Sequence, residues 1–327
     1  MFASYNGPLY QVTRASDGHS FDVGVLAKGG YANAAAQDRF CAGTTCTITK
    51  IYDQTANHND LTVAGGGGTI PFPNRPAIAN RLPLKAGGHE AYGVWIDPGM
   101  GYRDVATRGV PTGSSPESMY MVASGTHTNP RGPGVISCCF NYGNVQPSVV
   151  DEGAGTMNAV NLSAGCWPLG VGCRGTGPWV QGDFENGLYQ STTGVSLDPT
   201  NTGETSPFVT ALLRNDGVER YALKSGNANY PVLHTRYDGP LPYESQLEPA
   251  WCLVAPVVVP HRKCDLDSPY RPMEKQGAIV LGTGGDNSNS GPGSFFEGAM
   301  TVGIPSHETD NLIQRNIAGV GYTMAAH

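Results

Sequence analysis

The chain has 327 residues, a formal net charge of −7 and 14% charged residues, against about 25% in an average soluble domain. No stretch approaches the roughly 20 apolar residues that cross a bilayer and no basic run suggests nucleic acid, so neither kind of partner is expected. With 45 glycines, 25 prolines and little helical periodicity, short Val/Ile/Tyr/Phe runs between turn residues predict an all-β chain, one β-sandwich domain over 1–327 with few short helices.

In chain order, 5–12 reads as an edge strand and the alanine-rich 31–41 as a short helix. A strand at 47–53 precedes the polar turn Gln54-Thr55-Ala56-Asn57-His58-Asn59-Asp60, and Gly65–Gly68 reads as a flexible loop tip. Strands follow at 92–96, 118–123 and 134–142. Segments 208–214 and 218–224 flank Asn215-Asp216-Gly217, a strong hairpin signal. Ala278–Leu281 and 294–302 are further strands. The end, 306–322, is a helix: Ser306 caps it, Glu308 and Asp310 suit its positive N-terminus, and Leu312, Ile313, Ile317 and Val320 form its apolar face. An irregular excursion at 242–272 carries two cysteines, and no internal repeat is present.

Eight cysteines in a turn-rich chain point to an oxidising compartment and a secreted, extracellular protein. Their near-neighbour spacing suggests Cys41–Cys46, Cys166–Cys173 and Cys252–Cys264 bridges. A zinc site would need Cys-x2-Cys or His-x3-His spacing, which is missing. Cys138 and Cys139 are adjacent. They either close a tight ring or sit on opposite strand faces, reduced or paired elsewhere. Met1 opens what reads as an ongoing strand with no signal-peptide pattern, so an export signal is expected to have been removed.

Two stretches can carry chemistry. In Gly182-Asp183-Phe184-Glu185-Asn186-Gly187-Leu188-Tyr189, strand alternation puts Asp183 and Glu185 on one face and Phe184 on the other. Neighbouring carboxylates raise each other's proton affinity and suit acid/base or nucleophilic work, although two solvated charges at a strand end would look the same. Gly284-Gly285-Asp286-Asn287-Ser288-Asn289, directly after Ala278–Leu281, sets a carboxylate on a glycine-rich loop that lets a ligand approach the backbone. Asp286, Ser288, Ser290, Gly291 and Glu297 also fall at calcium-loop positions, but serines replace two ligands and the flanks read as strands.

The chain resembles the catalytic domain of glycoside hydrolase family 54, the α-L-arabinofuranosidases. The shared words run nearly end to end: Tyr5-Asn6-Gly7-Pro8-Leu9-Tyr10-Gln11-Val12, Ala35-Ala36-Gln37-Asp38, Ile51-Tyr52-Asp53-Gln54, Cys138-Cys139-Phe140 with Tyr142-Gly143-Asn144, Glu185-Asn186 with Leu188, and Gly284 to Asn289. The resemblance implies a concanavalin- or laminin-G-like jelly-roll sandwich and a retaining, exo-acting enzyme. Glu185 would be the nucleophile and Asp286 the general acid/base. Asp183, Asn186, Leu188, Gly285, Met157 and Trp167 would line the sugar subsite, and Cys138–Cys139 would be a vicinal disulfide lying against the arabinose ring.

A retaining glycosidase needs two carboxyls about 5–5.5 Å apart and no metal or organic cofactor, so none is expected. The implied partner is an arabinose-containing polysaccharide or oligosaccharide, and the implied state a monomer. The family's cysteine pair upstream of Tyr5 and its C-terminal arabinose-binding β-trefoil are not in this sequence. Two other readings compete: a galactofuranosidase, whose sugar differs by one carbinol carbon, and a catalytically silent carbohydrate-binding sandwich.

Overall fold

The computed structural model describes residues 2–129, 137–147, 157–165, 176–184, 187–191, 200–242 and 275–325. The N-terminal part supplies β1 (Pro8–Arg14), β2 (Ser20–Gly24), α1 (Ala34–Phe40), β3 (Cys46–Ile51), β4 (Leu61–Val63), β5 (Leu82–Ala86), β6 (His89–Ile96), β7 (Tyr102–Asp104) and β8 (Glu117–Ala123). After these come β9 (Asn141–Val145), β10 (Asn158–Ser163), β11 (Trp179–Phe184), β12 (Gly187–Tyr189), β13 (Val209–Asn215), β14 (Arg220–Asn227) and β15 (His234–Pro240). The chain closes with β16 (Ala278–Leu281), β17 (Gly293–Val302), α2 (His307–Ala318) and β18 (Thr323–Met324).

The strands form two antiparallel sheets, a β-sandwich. One has ten strands in the order β12-β11-β10-β9-β16-β7-β4-β3-β1-β2, the other eight in the order β15-β14-β13-β8-β17-β6-β5-β18. Between them lies the main core, where Tyr102, Val160, Leu162, Phe184, Ile279 and Leu281 of the first sheet meet Met119, Met121, Leu213 and Leu223 of the second. Alternation along each strand therefore leaves a second face on each sheet.

The two outer faces have different fates. On the eight-stranded sheet, Ile317 of α2 and Tyr322 pack with Leu84, Val122 and Phe208. On the ten-stranded sheet, Val145, Met157, Ala159, Ala278 and Val280 form a small separate cluster. That second face carries the candidate site.

Several boundaries differ from expectation, each for a local reason. β1 is not an edge, because the short polar β2 pairs along it from Pro8↔Gly24 to Thr13↔Ser20. α1 starts at Ala34, where the Asn33 side chain accepts the Ala36 N–H, and the Cys41–Cys46 disulfide closes its far end. The Asn215-Asp216-Gly217 hairpin forms, joining β13 and β14 in register from Val209↔Asn227 to Asn215↔Tyr221.

The terminal helix stops at Ala318 with Gly319 as its cap, short of the expected 322. Its buried stripe is Asp310, Gln314 and Ile317, with Ile313 packed beside it. Leu312 is instead 54% exposed, because it projects about 100° around the helix from Ile313. The excursion at 242–272 and the Cys166–Cys173 and Cys252–Cys264 pairings lie outside the described residues.

One polar network ties the sheets inside the core. The Glu117 carboxylate accepts from Asn158 Nδ2 at 2.7 Å and Asn144 Nδ2 at 3.1 Å, and Asn158 Oδ1 accepts from Asn215. Burial pushes the Glu117 carboxyl up to about 7, against the pull of the two amides and Lys275.

Candidate active site

The floor of the site follows from register. Leu188, Asp183, Ala159, Gly143, Val280 and Arg103 are successive cross-strand partners along one row of the ten-stranded sheet. Because partners in a row share a face, all six stand on the side away from the core. The middle of the row is small by necessity: a Cβ on Gly143 would sit 2.7 Å from the Ala159 Cβ. A shallow floor results, with a carboxylate toward one end and a guanidinium at the other.

Asp183 is held as an acceptor. It is 3% exposed, and Asn141 Nδ2 donates to its Oδ2 at 2.6 Å. Asn141 is in turn fixed by Asn161, whose Nδ2 donates to Asn141 Oδ1 at 2.7 Å. Phe184, the next residue, is fully buried in the main core, so the alternation read from the sequence holds for this pair. Glu185, Asn186 and Trp167 lie outside the described residues. Phe184 and Gly187, on either side of Glu185-Asn186, are cross-strand partners.

Cys138 and Cys139 are bonded to each other. One Asp183 carboxylate oxygen and the two sulfur atoms lie within 4.8 Å of one another. Such a trio could hold a metal only if the sulfurs were thiolates, and in the disulfide they are not. Of the segment 134–142, expected as a strand, the described residues 137–140 are irregular and β9 begins at Asn141. The backbone of the two cysteines bonds elsewhere: Cys139 N donates to Ser288 O at 3.1 Å, and Cys138 O accepts from Ser290 N at 2.8 Å. The disulfide is thereby fastened to the loop that carries Asp286.

That loop leaves β16 and folds back over the floor. Gly285 N donates to Met157 Sδ at 3.4 Å, and Gly285 O accepts from Arg103 Nη1 at 2.7 Å. A Cβ at Gly285 would come within 3.3 Å of Met157 Cγ, so the loop backbone lies close against the methionine. Arg103 also donates to Gln146 O. Burial pushes its guanidinium down to about 10, while the negative charge of Asp286 opposes the shift.

Asp286 itself is half-buried. Its Oδ2 accepts from Thr69 Oγ1 at 2.5 Å and its Oδ1 from Ser288 N at 2.9 Å. The next residue, Asn287, adopts φ +65°, a left-handed conformation that asparagine tolerates better than most. Its side chain donates to Ile70 O at 2.8 Å and Phe72 O at 3.3 Å, and accepts from Asn74. The Gly65–Gly68 stretch therefore begins a loop bonded to the Asp286 loop, more tied than its glycines suggest. The calcium alternative fails on Glu297, which shares a side-chain hydrogen bond with Tyr322 beyond the other sheet.

Asp183, Leu188, Gly285, Cys138, Cys139, Met157 and Asp286 are thus gathered on one outer face. Sequence reasoning missed Thr69, Asn141, Asn161 and Arg103. Asn141 stands beside the Cys138-Cys139-Phe140 word, and the alternation Asn141-x-Gly143 was available as a signal. Thr69 and Arg103 reach the site from 217 and 182 residues away, a pairing that no local pattern encodes.

Residues 1–250 and 263–323 match the family model described as "Alpha-L-arabinofuranosidase B, catalytic". The unmatched 251–262 fall within the expected excursion. The chain is 42% identical over 334 residues to a probable alpha-L-arabinofuranosidase B of Aspergillus fumigatus, covering 100% of this chain and 59% of that protein. To the alpha-L-arabinofuranosidase B of Emericella nidulans it is 43% identical over 330 residues, covering 98% and 58%. The chain thus spans somewhat under two thirds of the length of these relatives. Among solved structures it is similar to an arabinofuranosidase complexed with arabinofuranosyl-alpha-1,2-xylobiose, with TM-score 0.84, 36% identity and coverage of 99% of this chain and 61% of that one.

Proposed function

The chain belongs to the alpha-L-arabinofuranosidase B catalytic family, and from that premise we propose that it releases terminal α-L-arabinofuranose from hemicellulose or pectin side chains with retention of configuration. One observation carries the reading. The glycine loop that carries one carboxylate, Asp286, is bonded to the backbone of the Cys138–Cys139 disulfide, whose sulfurs lie within 4.8 Å of a second, buried carboxylate, Asp183, on a floor whose central residues are small.

In the proposed reaction the Glu185 carboxylate attacks the anomeric carbon while Asp286 gives its proton to the departing glycosidic oxygen. The first alcohol leaves and a covalent glycosyl-enzyme forms. Asp286, now ionised, then takes a proton from water as that water attacks the same carbon, freeing arabinose and restoring Glu185. Asp183, held by Asn141, is oriented to accept hydrogen bonds from sugar hydroxyls. The disulfide, Met157 and Leu188 offer apolar surface to the ring, with Asn186, Gly285 and Trp167 completing the subsite. The closed Cys41–Cys46 and Cys138–Cys139 bridges support an exported protein working outside the cell.

Hydrolysis of a panel of 4-nitrophenyl glycosides tests the reading. The α-L-arabinofuranoside should be cleaved far faster than the β-D-galactofuranoside or the β-D-xylopyranoside. Binding of arabinose without turnover of any glycoside, or preference for the galactofuranoside, would overturn it. Asp286→Asn should lose least on 4-nitrophenyl arabinofuranoside and most on alkyl arabinofuranosides, whose leaving groups need protonation. Equal loss on both would remove Asp286 from the acid/base role.

A further inference from the structure

The general acid of a glycosidase stands beside the leaving-group oxygen, so whatever flanks it on the open side faces the chain being released. Among the described residues, one segment outside its own loop bonds Asp286 through both side chain and backbone. Thr69 bonds its carboxylate at 2.5 Å, and Thr69 N donates to Asp286 O at 3.0 Å. From there the chain runs Thr69-Ile70-Pro71-Phe72-Pro73. Asn287 holds the Ile70 and Phe72 carbonyls, and Gly67 N donates to Ile70 O at 2.7 Å.

Phe72 is 73% exposed and belongs to none of the apolar clusters. Single exposed apolar residues are ordinary on protein surfaces. This one differs in its setting. Prolines on both sides fix the backbone, and the carbonyl of Phe72 itself is bonded to the residue after Asp286, so the backbone that carries the ring is held against the Asp286 loop and is ordered before any ligand binds. Other strongly exposed apolar side chains, such as Val218 at 72% and Val302 at 68%, stand on the β13–β14 turn and the far end of β17. The C–H face of a sugar ring is apolar and flat, and covering it with an aromatic ring removes surface from water on both partners.

We propose that the 65–73 loop forms the leaving-group subsite, with Phe72 as the platform for the first sugar ring of the chain that carries the arabinose. The ligand class is a pyranose or furanose unit of a polysaccharide backbone. The subsite rests on the acid assignment of Asp286 made above. It places backbone recognition on a loop of the described residues, distinct from the 242–272 excursion.

The test compares kcat/KM for arabinofuranosyl-α-1,2-xylobiose and methyl α-L-arabinofuranoside. Both leave as poorly stabilised alkoxides, but only the first brings a sugar ring. In Phe72→Ala the ratio of xylobioside to methyl glycoside should fall about tenfold, corresponding to about 1.4 kcal/mol of lost stacking. Phe72→Trp should hold or raise that ratio. A ratio within twofold of wild type in Phe72→Ala would overturn the subsite. Asp286→Asn on the same pair keeps the two claims apart: large losses on both substrates uphold the acid, and activity retained on both overturns the acid alone. A ratio change in Phe72→Ala supports the subsite when the acid is upheld; with the acid overturned, the placement of the leaving-group subsite beside Asp286 falls with it.

Discussion

At Asp286 the deciding contact is a hydroxyl from a glycine-rich loop far away in the chain. Thr69 Oγ1 and Ser288 N each take one carboxylate oxygen, so the group can rotate little, which is what the proposed acid role asks of it. Thr69→Ala should cut turnover of alkyl arabinofuranosides about ten- to hundredfold through lost orientation, with Thr69→Ser restoring most of it. Equal activity in both variants would show that the contact positions nothing. His127 illustrates a residue whose environment sets a pH response. It stacks on Trp95 with ring centroids 3.4 Å apart, and burial holds its imidazole down to about 4, against the pull of Asp97. As pH falls from about 6.5 to 4, the unfolded chain takes up a proton that the folded one refuses, so stability declines across that window. With the side chain 15% exposed, the loss should be about 1–2 kcal/mol, less than the full linkage value. His127→Gln should remove it, which urea denaturation at pH 6.5 and pH 4.5 measures; an identical difference between the two pH values in both proteins would contradict it.

At the scale of elements, alternation and turn chemistry were readable where packing follows local pattern. Ala278–Leu281 appears with its expected bounds, and Asn215-Asp216-Gly217 makes its hairpin, because four apolar residues in a row and a turn tripeptide need no distant partner to declare themselves. β2, β4 and β7 were not legible. They are short and exist as strands because longer neighbours offer them hydrogen bonds. α2 shows the limit from the other side. Asp310 reads from sequence as a charge suited to the helix start, yet it is 1% exposed and bonded to Lys224 at 2.6 Å, with Arg214 at 3.3 Å. Those partners come from β14 and β13, so the acid docks the helix on the eight-stranded sheet. Asp310→Ala would leave two buried cations without their counter-ion and should cost about 3–5 kcal/mol in equilibrium denaturation. A cost below about 1 kcal/mol would mean that the apolar contacts of Ile313 and Ile317 dock the helix unaided.

Over the whole molecule, one outer sheet face is covered by α2, and the outer face of the other sheet carries the candidate site. Which face would carry the site was not legible, since the strands of both sheets alternate in the same way. It is fixed by where α2 lands and by the Asp286 loop folding back over Met157 and Val145. What the sequence did hold was the pair of words around Glu185 and Asp286 and the adjacent cysteines, because carboxylates beside glycines and adjacent cysteines are residue types whose pattern stands out without any distant partner. The central claim is that this face performs a double displacement through Glu185. The most direct measurement is to trap the enzyme with an arabinofuranose-configured cyclic sulfate and map the modified residue by mass spectrometry of its peptides. The account predicts one covalent sugar-derived adduct, on Glu185, absent from Glu185→Gln. A label on another carboxylate, or an active enzyme that never acquires one, would contradict it.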